Sequence, residues 1–418
     1  MRDRILQVRL TEDECNAFER VCRKDKVAPS TKTRELVIDF TQQRVGEVSS
    51  HKESLCETKS NLPKLVPGMA LRVGEMFSGP GGIGVALNCT RHAGMSFEHV
   101  WAVDYDADTC RTFKTNVLRY CPDTVCICED VRKIDIDALP ETDGFLFDIL
   151  LGEETKNRNG IFEGLYTYGV KYIDRVNPLF FFVEIIPGLS STNAGTAFKR
   201  ILSALNRAGL HGYDISVHLY KFEEYGVPQT RHRRILIGLR GDLGLRFQVP
   251  KPSGIVKTCK EALGRIPPDA ANHEVSKQTE TVVERLSHIS EGENYRQAEE
   301  RMPEHLRLES KSANLSQLYR RLDSIKPSPS INGSGGGGTN LYHWRENRAL
   351  TNRERARLQT FPDDFVFCGS KGSVRKQIGM ATPCEGARVI LEALLKTLAG
   401  ETYESVEPST GYFPAKSI

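Results

Sequence analysis

No uninterrupted apolar run in the 418-residue chain approaches the ~18 residues of a membrane-spanning helix. The mean hydropathy of −0.39 agrees, and no membrane partner is expected. No apolar core and no small-residue cleavage site follow Met1-Arg2-Asp3-Arg4, so no secretory leader is read and a cytoplasmic setting is expected. No Cys-x-x-Cys pair occurs among the eleven cysteines. That argues against a zinc knuckle, and the odd count argues against a disulfide framework, so reduced thiols and no metal site are expected. Net charge is scarce: 57 Lys and Arg against 54 Asp and Glu leave +3, which permits a local nucleic-acid patch without demanding one. No repeat of fixed period is found. The remainder, 39% hydrophobic and 27% charged, has the composition of a globular chain, and the length allows two or three compact units.

Residues 1–45 read as a small charged unit. Leu6, Val8 and Leu10 alternate with Gln7 and Arg9, which is a strand with one polar face. Cys15, Phe18 and Cys22 then mark one helical stripe, and Thr33, Leu36, Val37 and Phe40, behind an N-cap at Ser30, mark another. Such a unit is too short to bury a core alone. It resembles the ribbon-helix-helix fold, in which two chains pair their strands in the DNA major groove. That resemblance implies a homodimer through this arm, with Gln7 and Arg9 facing bases. A generic helical adaptor is the competing reading. Residues 46–70 are polar, lack periodicity and carry Pro63 and Pro67, as a linker would.

From Leu71 onward strand-like and helix-like patterns alternate. The run Leu71 to Phe77 reads as a buried strand. It enters Ser78-Gly79-Pro80-Gly81-Gly82-Ile83-Gly84 and then an apolar helix, an arrangement that lets backbone approach a ligand closely. The next strand, His99 to Val103, ends in Asp104-Tyr105-Asp106, where an acid is placed to bind ribose hydroxyls. A further strand-like stretch, Thr124 to Ile127, precedes Glu129-Asp130. Glycines and acids at successive strand ends describe one crevice at the carboxyl edge of a parallel sheet.

Phe77-Ser78-Gly79-Pro80-Gly81-Gly82 resembles the first motif of the DNA cytosine-5 methyltransferases. Gln229-Thr230-Arg231-His232-Arg233, the stretch from Arg348 to Pro362, and Gln377-Ile378-Gly379-Met380-Ala381-Thr382-Pro383 resemble later motifs of that family, in its order. The resemblance spans about residues 71–397. It implies an α/β fold: a Rossmann-like doubly wound sheet with a small target-recognition lobe, beside the N-terminal arm. The core is then 71–240, the recognition region 241–343, with Lys311, Arg320, Arg321 and Lys326 expected to contact phosphates, the rest of the core 344–400, and 401–418 a loose tail. It also implies S-adenosylmethionine as methyl donor, double-stranded DNA as substrate and a possible cognate restriction endonuclease.

Carried over residue by residue, the resemblance places Phe77 against the adenine or sulfonium, and Gly79, Gly81 and Gly82 around the methionine moiety. It gives Asp104 the ribose, Tyr105 and Asp130 the adenine, and Leu165 and Met380 further cofactor contacts. Met380 stands where many members have asparagine, and Thr382 and Cys384 depart as well. Glu184 would meet the cytosine edge, Arg231 and Arg233 would serve the base and its phosphate, and Gln229 would contact DNA.

The family attacks C6 of a flipped cytosine with a cysteine in a Pro-Cys loop after the fourth strand. Here Gly144-Phe145-Leu146-Phe147 runs into Asp148-Ile149-Leu150-Leu151-Gly152, and no cysteine lies between Cys128 and Cys259. The run Pro178 to Val183 reads as a buried strand leading into Glu184, and Ile185 stands where the family has asparagine after that glutamate. Cys384 follows a proline, but on the last motif rather than at the fourth strand. Two functions therefore stay open: a member with impaired transfer, or an inactive DNA-binding regulator.

Overall fold

The computed structural model describes residues 68–150, 164–186, 194–308, 315–333 and 341–415. The chain divides into units Met1–Lys64 and Leu65–Ile418, and the described residues all belong to the second. The arm, with Gln7 and Arg9, lies outside them.

The strands are β1 (Ala70–Met76), β2 (Met95–Asp104), β3 (Val125–Cys128), β4 (Gly144–Leu150), β5 (Phe180–Ile186), β6 (Tyr213–Lys221), β7 (His232–Arg240) and β8 (Gly411–Phe413). Their order across the sheet is β8-β6-β7-β5-β4-β1-β2, with β3 and the short Arg91–His92 strand sharing the outer edge of β2. Strands β3, β2, β1, β4 and β5 run parallel, and β7, β6 and β8 alternate direction. The chain leaves β1 to build one side of the sheet and returns at β4 to build the other. That reversal opens a crevice between the carboxyl ends of β1 and β4, where ligands bind in such sheets.

Both faces of the sheet are covered, which is why its central strands read as unbroken apolar runs. Helices α1 (Gly82–Cys89) and α7 (Cys384–Leu398) pack on one face with Leu71, Val73, Phe180 and Phe182. Helices α3 (Tyr166–Val176) and α4 (Ala194–Arg207) pack on the other with Phe145, Phe147, Phe181 and Val183. Trp101 is fully buried, donates its indole N–H to the Pro140 carbonyl at 3.1 Å, and lies where a side chain on Gly74 would stand. Helix α2 (Ala107–Val117) starts at once after β2, because Asp106 caps it by accepting from the Thr109 N–H at 2.9 Å.

The region 241–343 contributes a second small core around Leu286, Tyr295, Tyr319 and Tyr342. Two basic residues there expected to reach phosphates are engaged within the protein. Arg321 is buried and donates to the carbonyls of Leu286, His343 and Glu346, and Lys326 pairs with Asp323 at 2.7 Å. The expected loose tail is corrected as well. Ser405–Val406 pairs with Val249–Pro250, and β8 extends the main sheet along β6. Tyr412 anchors it, donating to Asp214 at 2.8 Å beneath the guanidinium of Arg246. Short polar composition hid these pairings, because each uses backbone rather than an apolar pattern.

Candidate functional site

The turn after β1 needs unusual backbone. Phe77, Gly79 and Gly81 all have positive φ (62°, 56° and 102°), and Gly81 is the left-handed N-cap of α1. An added Cβ on Gly79 would meet nothing within 4 Å, so backbone there faces open space suited to a ligand. At Gly81 it would meet Val117 at 2.9 Å and Phe113 at 3.2 Å, so this glycine serves packing on α2. At Gly82 it would stand 2.5 Å from the Thr382 carbonyl oxygen. The last motif therefore lies directly over the glycine turn.

Asp104 closes the turn from β2. Its two carboxylate oxygens accept from the N–H groups of Gly79 and Asp106, each at 3.0 Å. Burial raises its pKa, and those two bonds oppose the rise. Each oxygen keeps lone-pair capacity for a hydroxyl. Tyr105 beside it is 68% exposed, an aromatic face without a protein cover. Phe77 and Leu165 are half-buried and rest on the same apolar cluster. Asp130 accepts from the Nε of Arg132 at 2.9 Å, which holds its carboxyl down to about 2. Met380 ends α6 (Lys371–Met380) and is 41% exposed.

The base side is assembled from β4, β5, β7 and the last motif. Glu184 lies opposite Asp148 in register and is fully buried. Its Oε1 pairs with Arg233 Nε at 2.8 Å, and its Oε2 accepts from the Thr382 hydroxyl. Arg231 is also fully buried. One amino group donates to the carbonyls of Ile331 at 3.3 Å and Gly379 at 3.2 Å, and its Nε and other amino nitrogen have no hydrogen-bond partner among the described residues. Burial and the neighbouring Arg233 lower its pKa to about 9. Gln229 differs from expectation. Its amide donates to Leu358 O and Gln359, its oxygen accepts from the Ile331 N–H at 2.8 Å, and no part is exposed. The carboxamide is committed inside the protein, tying β7's approach to α5 (Asn352–Leu358) rather than facing a duplex.

Sequence reasoning missed three participants. Asp148 is half-buried on β4, and desolvation pushes its carboxyl well up, with Glu184 and Glu75 adding to the rise. Glu75 on β1 is raised to about 8 by burial and by Asp104, 3.4 Å from a His99 imidazole that burial lowers to about 4. Asp148 on β4 and Glu184 on β5 thus face each other in register, and Arg233 and Arg231 supply the opposing charge. An acid interrupting an apolar strand was the available signal for Glu75 and Asp148. Thr382 carried none, since a threonine hydroxyl is useful only where its partner sits. Ile185, in the family's asparagine position, pairs across strands with Ile149 inside an apolar cluster.

Among the described residues, no group of three His, Cys, Asp or Glu side chains is arranged to hold a metal, and no helix is long and apolar enough to cross a membrane. A doubly wound sheet with a glycine turn and an acid at the next strand's end defines a nucleotide-binding α/β protein. The C-5 cytosine-specific DNA methylase family matches residues 71–396, and the chain belongs to that family. It is 49% identical over 355 residues to the type II methyltransferase M.BbvI of Brevibacillus brevis, covering 81% of this chain and 94% of that one. M.NgoFVII of Neisseria gonorrhoeae is 32% identical over 374 residues, covering 86% and 93%. A variant of Spodoptera frugiperda DNMT2 shares the fold, with a TM-score of 0.55 at 14% identity over 78% of this chain and all of that one. The family's methyl donor is S-adenosylmethionine, and the residues present suit it. The open space at Gly79, the placed Asp104 carboxylate and the uncovered Tyr105 ring suit its nucleoside part.

Proposed function

We propose that this protein binds S-adenosylmethionine and double-stranded DNA in the manner of a cytosine-5 methyltransferase, with methyl transfer weak or absent. The cofactor supplies an electrophilic methyl group. The chain supplies Asp104 for the ribose, Tyr105 and Asp130 for the adenine, and Phe77, Gly79, Leu165 and Met380 around the reacting end. Glu184, paired with Arg233 and accepting from the Thr382 hydroxyl, offers an acceptor for a cytosine edge, and the charge of Arg231 lies beside Glu184 and Asp148.

One observation carries the impairment. Strand β4 runs on through Asp148 to Leu150, and no cysteine follows before Cys259. Cys384 does not substitute. It is 4% exposed in an apolar cluster, and burial pushes its thiol far above the range where a thiolate forms. Without a thiolate at C6, cytosine C5 is too weak a nucleophile to take a methyl group. Duplex DNA carrying 5-fluorocytosine is expected to form no covalent complex with the purified protein. A trapped adduct would overturn the impairment.

The alternative, an inactive regulator, rests on the strand-helix-helix pattern of residues 1–45 with Gln7 and Arg9 on its polar face. Sedimentation of that fragment as a folded monomer would remove it, since the pattern needs a partner strand. The type II names of the relatives support a place in a restriction-modification system, with a cytoplasmic setting and a partner endonuclease. Methylation-sensitive digestion of DNA from expressing cells separates an active member from a silent one.

A further inference from the structure

Three cysteines gather beside the cofactor crevice, and nothing in the methyl-transfer reading uses them. The pleat of β3 sends alternate side chains to opposite faces. Ile127 packs into the cluster beneath α3, whereas Cys126 packs against Phe113 and Val117 of α2. Cys128, two residues on, shares that face with Cys126. Cys110, on α2, is 2% exposed, and its Sγ lies 3.3 Å from the Asp104 carbonyl oxygen. It lies on the same face of α2 as Phe113 and Val117, against which Cys126 packs, and the Asp104 carbonyl it contacts belongs to the register partner of Cys128. In register, Cys126 sits beside Ala102 and Cys128 beside Asp104. Access is graded: Cys128 is exposed, Cys126 partly so, Cys110 buried.

The three thiols are not equivalent. The neighbouring Cys110 thiol and the ammonium of Lys114 lower the pKa of Cys126, whereas the Cys126 sulfur and burial raise that of Cys110. Cys126 is thus the thiolate-prone member, with a protonated thiol held against it.

We propose that Cys126 and Cys110 form a reversible, peroxide-driven disulfide that weakens cofactor binding at the neighbouring Asp104. The Cys126 thiolate attacks one peroxide oxygen, the O–O bond breaks, and hydroxide leaves, giving a sulfenic acid. The Cys110 thiol then attacks that sulfur, forming the S–S bond and releasing water. Both sulfurs are oxidised and the peroxide is reduced. The disulfide removes the Cys110 hydrogen bond to the Asp104 carbonyl and ties the first turns of α2 to β3. The Asp106 N–H that aims one Asp104 carboxylate oxygen belongs to this same junction. The effect on the cofactor rests on the role given to Asp104 above, while formation of the bond does not.

The test treats the full chain with stoichiometric hydrogen peroxide, blocks free thiols, and maps peptides by mass without reduction. A Cys110–Cys126 linked pair is expected, together with a fall of about tenfold in S-adenosylmethionine affinity by titration calorimetry, reversed by dithiothreitol. Cys126→Ser should lose the linkage and keep its affinity after peroxide. Alkylated Cys110 and Cys126 after treatment, or a linked protein with unchanged affinity, would overturn the proposal. Absence of cofactor binding in the reduced protein would overturn the cofactor reading and the switch with it, while the peptide map still decides the disulfide.

Discussion

Gly82 and Gly79 sit three residues apart in one turn, yet alanine should harm them for different reasons. At Gly82 the backbone is helical and φ is unremarkable, but the new methyl would stand 2.5 Å from the Thr382 carbonyl oxygen, with Ala381 at 3.4 Å and Phe361 at 3.6 Å. A carbonyl cannot rotate away like a side-chain tip, so the last motif must move. Overpacking of this kind costs about 1–3 kcal/mol, against a helix-propensity gain of at most about 1 kcal/mol. At Gly79 nothing crowds the methyl, but φ is +56°, and an L-residue there costs about 1–2 kcal/mol. Both variants should therefore lower the urea midpoint to a similar extent. Titration with S-adenosylmethionine separates them. The methyl of Gly79→Ala occupies the open crevice and should cut affinity well beyond the loss of folded protein. Gly82→Ala acts through Thr382, so a modest loss is expected. A Gly82→Ala midpoint at or above that of the wild type would refute the close approach of the two motifs. Equal cofactor affinity in Gly79→Ala and the wild type would refute the placement of the ligand.

The buried Glu75–His99 pair should leave a signature in stability against pH. Raised to about 8, Glu75 keeps its proton in the folded state from about pH 4.5 to 8 while the unfolded chain loses it. His99, lowered to about 4, lacks in the folded state a proton that the unfolded chain carries up to about pH 6.5. The two slopes cancel between about pH 4.5 and 6.5. From there to about pH 8 only Glu75 acts, and stability should fall by up to about 1.4 kcal/mol per pH unit. Glu75→Gln should remove that fall in urea titrations; an unchanged slope would mean that Glu75 is already ionised. Thr382→Val deletes the hydroxyl that donates to Glu184 while keeping its shape. It should weaken binding of DNA with an extrudable cytosine and leave cofactor affinity near that of the wild type, whereas Thr382→Ser should restore DNA binding. Equal DNA affinity in the valine variant would assign Thr382 to packing alone.

Much of the cofactor half was legible because its signals are local. A strand, a glycine turn and an acid at the next strand's end are each spelled within a few residues, and β1, β2 and β3 appear within a residue or a few of their expected bounds. The run Phe180-Phe181-Phe182-Val183 announced a strand buried on both faces, as it is. The site's internal wiring was not legible. Whether Gln229 faces DNA or Leu358 depends on a partner 129 residues away. Arg321 looks like a phosphate ligand in sequence and proves to be a bracket for four backbone and side-chain oxygens. Ile185 read as a lost polar group, yet with Ile149 across from it the position is an apolar contact. Restoring asparagine there would bury an amide with no evident partner, so a Pro-Cys loop alone is the better first step in any attempt to rebuild transfer.

The edge strand β8 has a consequence for synthesis. It covers β6 with residues 411–413, which leave the ribosome about 190 residues after the strand they protect. Until then, one edge of β6 stands with its amide and carbonyl groups unpaired, open to the strand of any neighbouring chain. A version ending at Gly400 would keep every motif of the site and still lose that cover. Such a truncation should show its defect as aggregation during expression rather than as a weaker cofactor site. Fusions are better placed ahead of the catalytic unit than appended to a strand that must thread into its final edge.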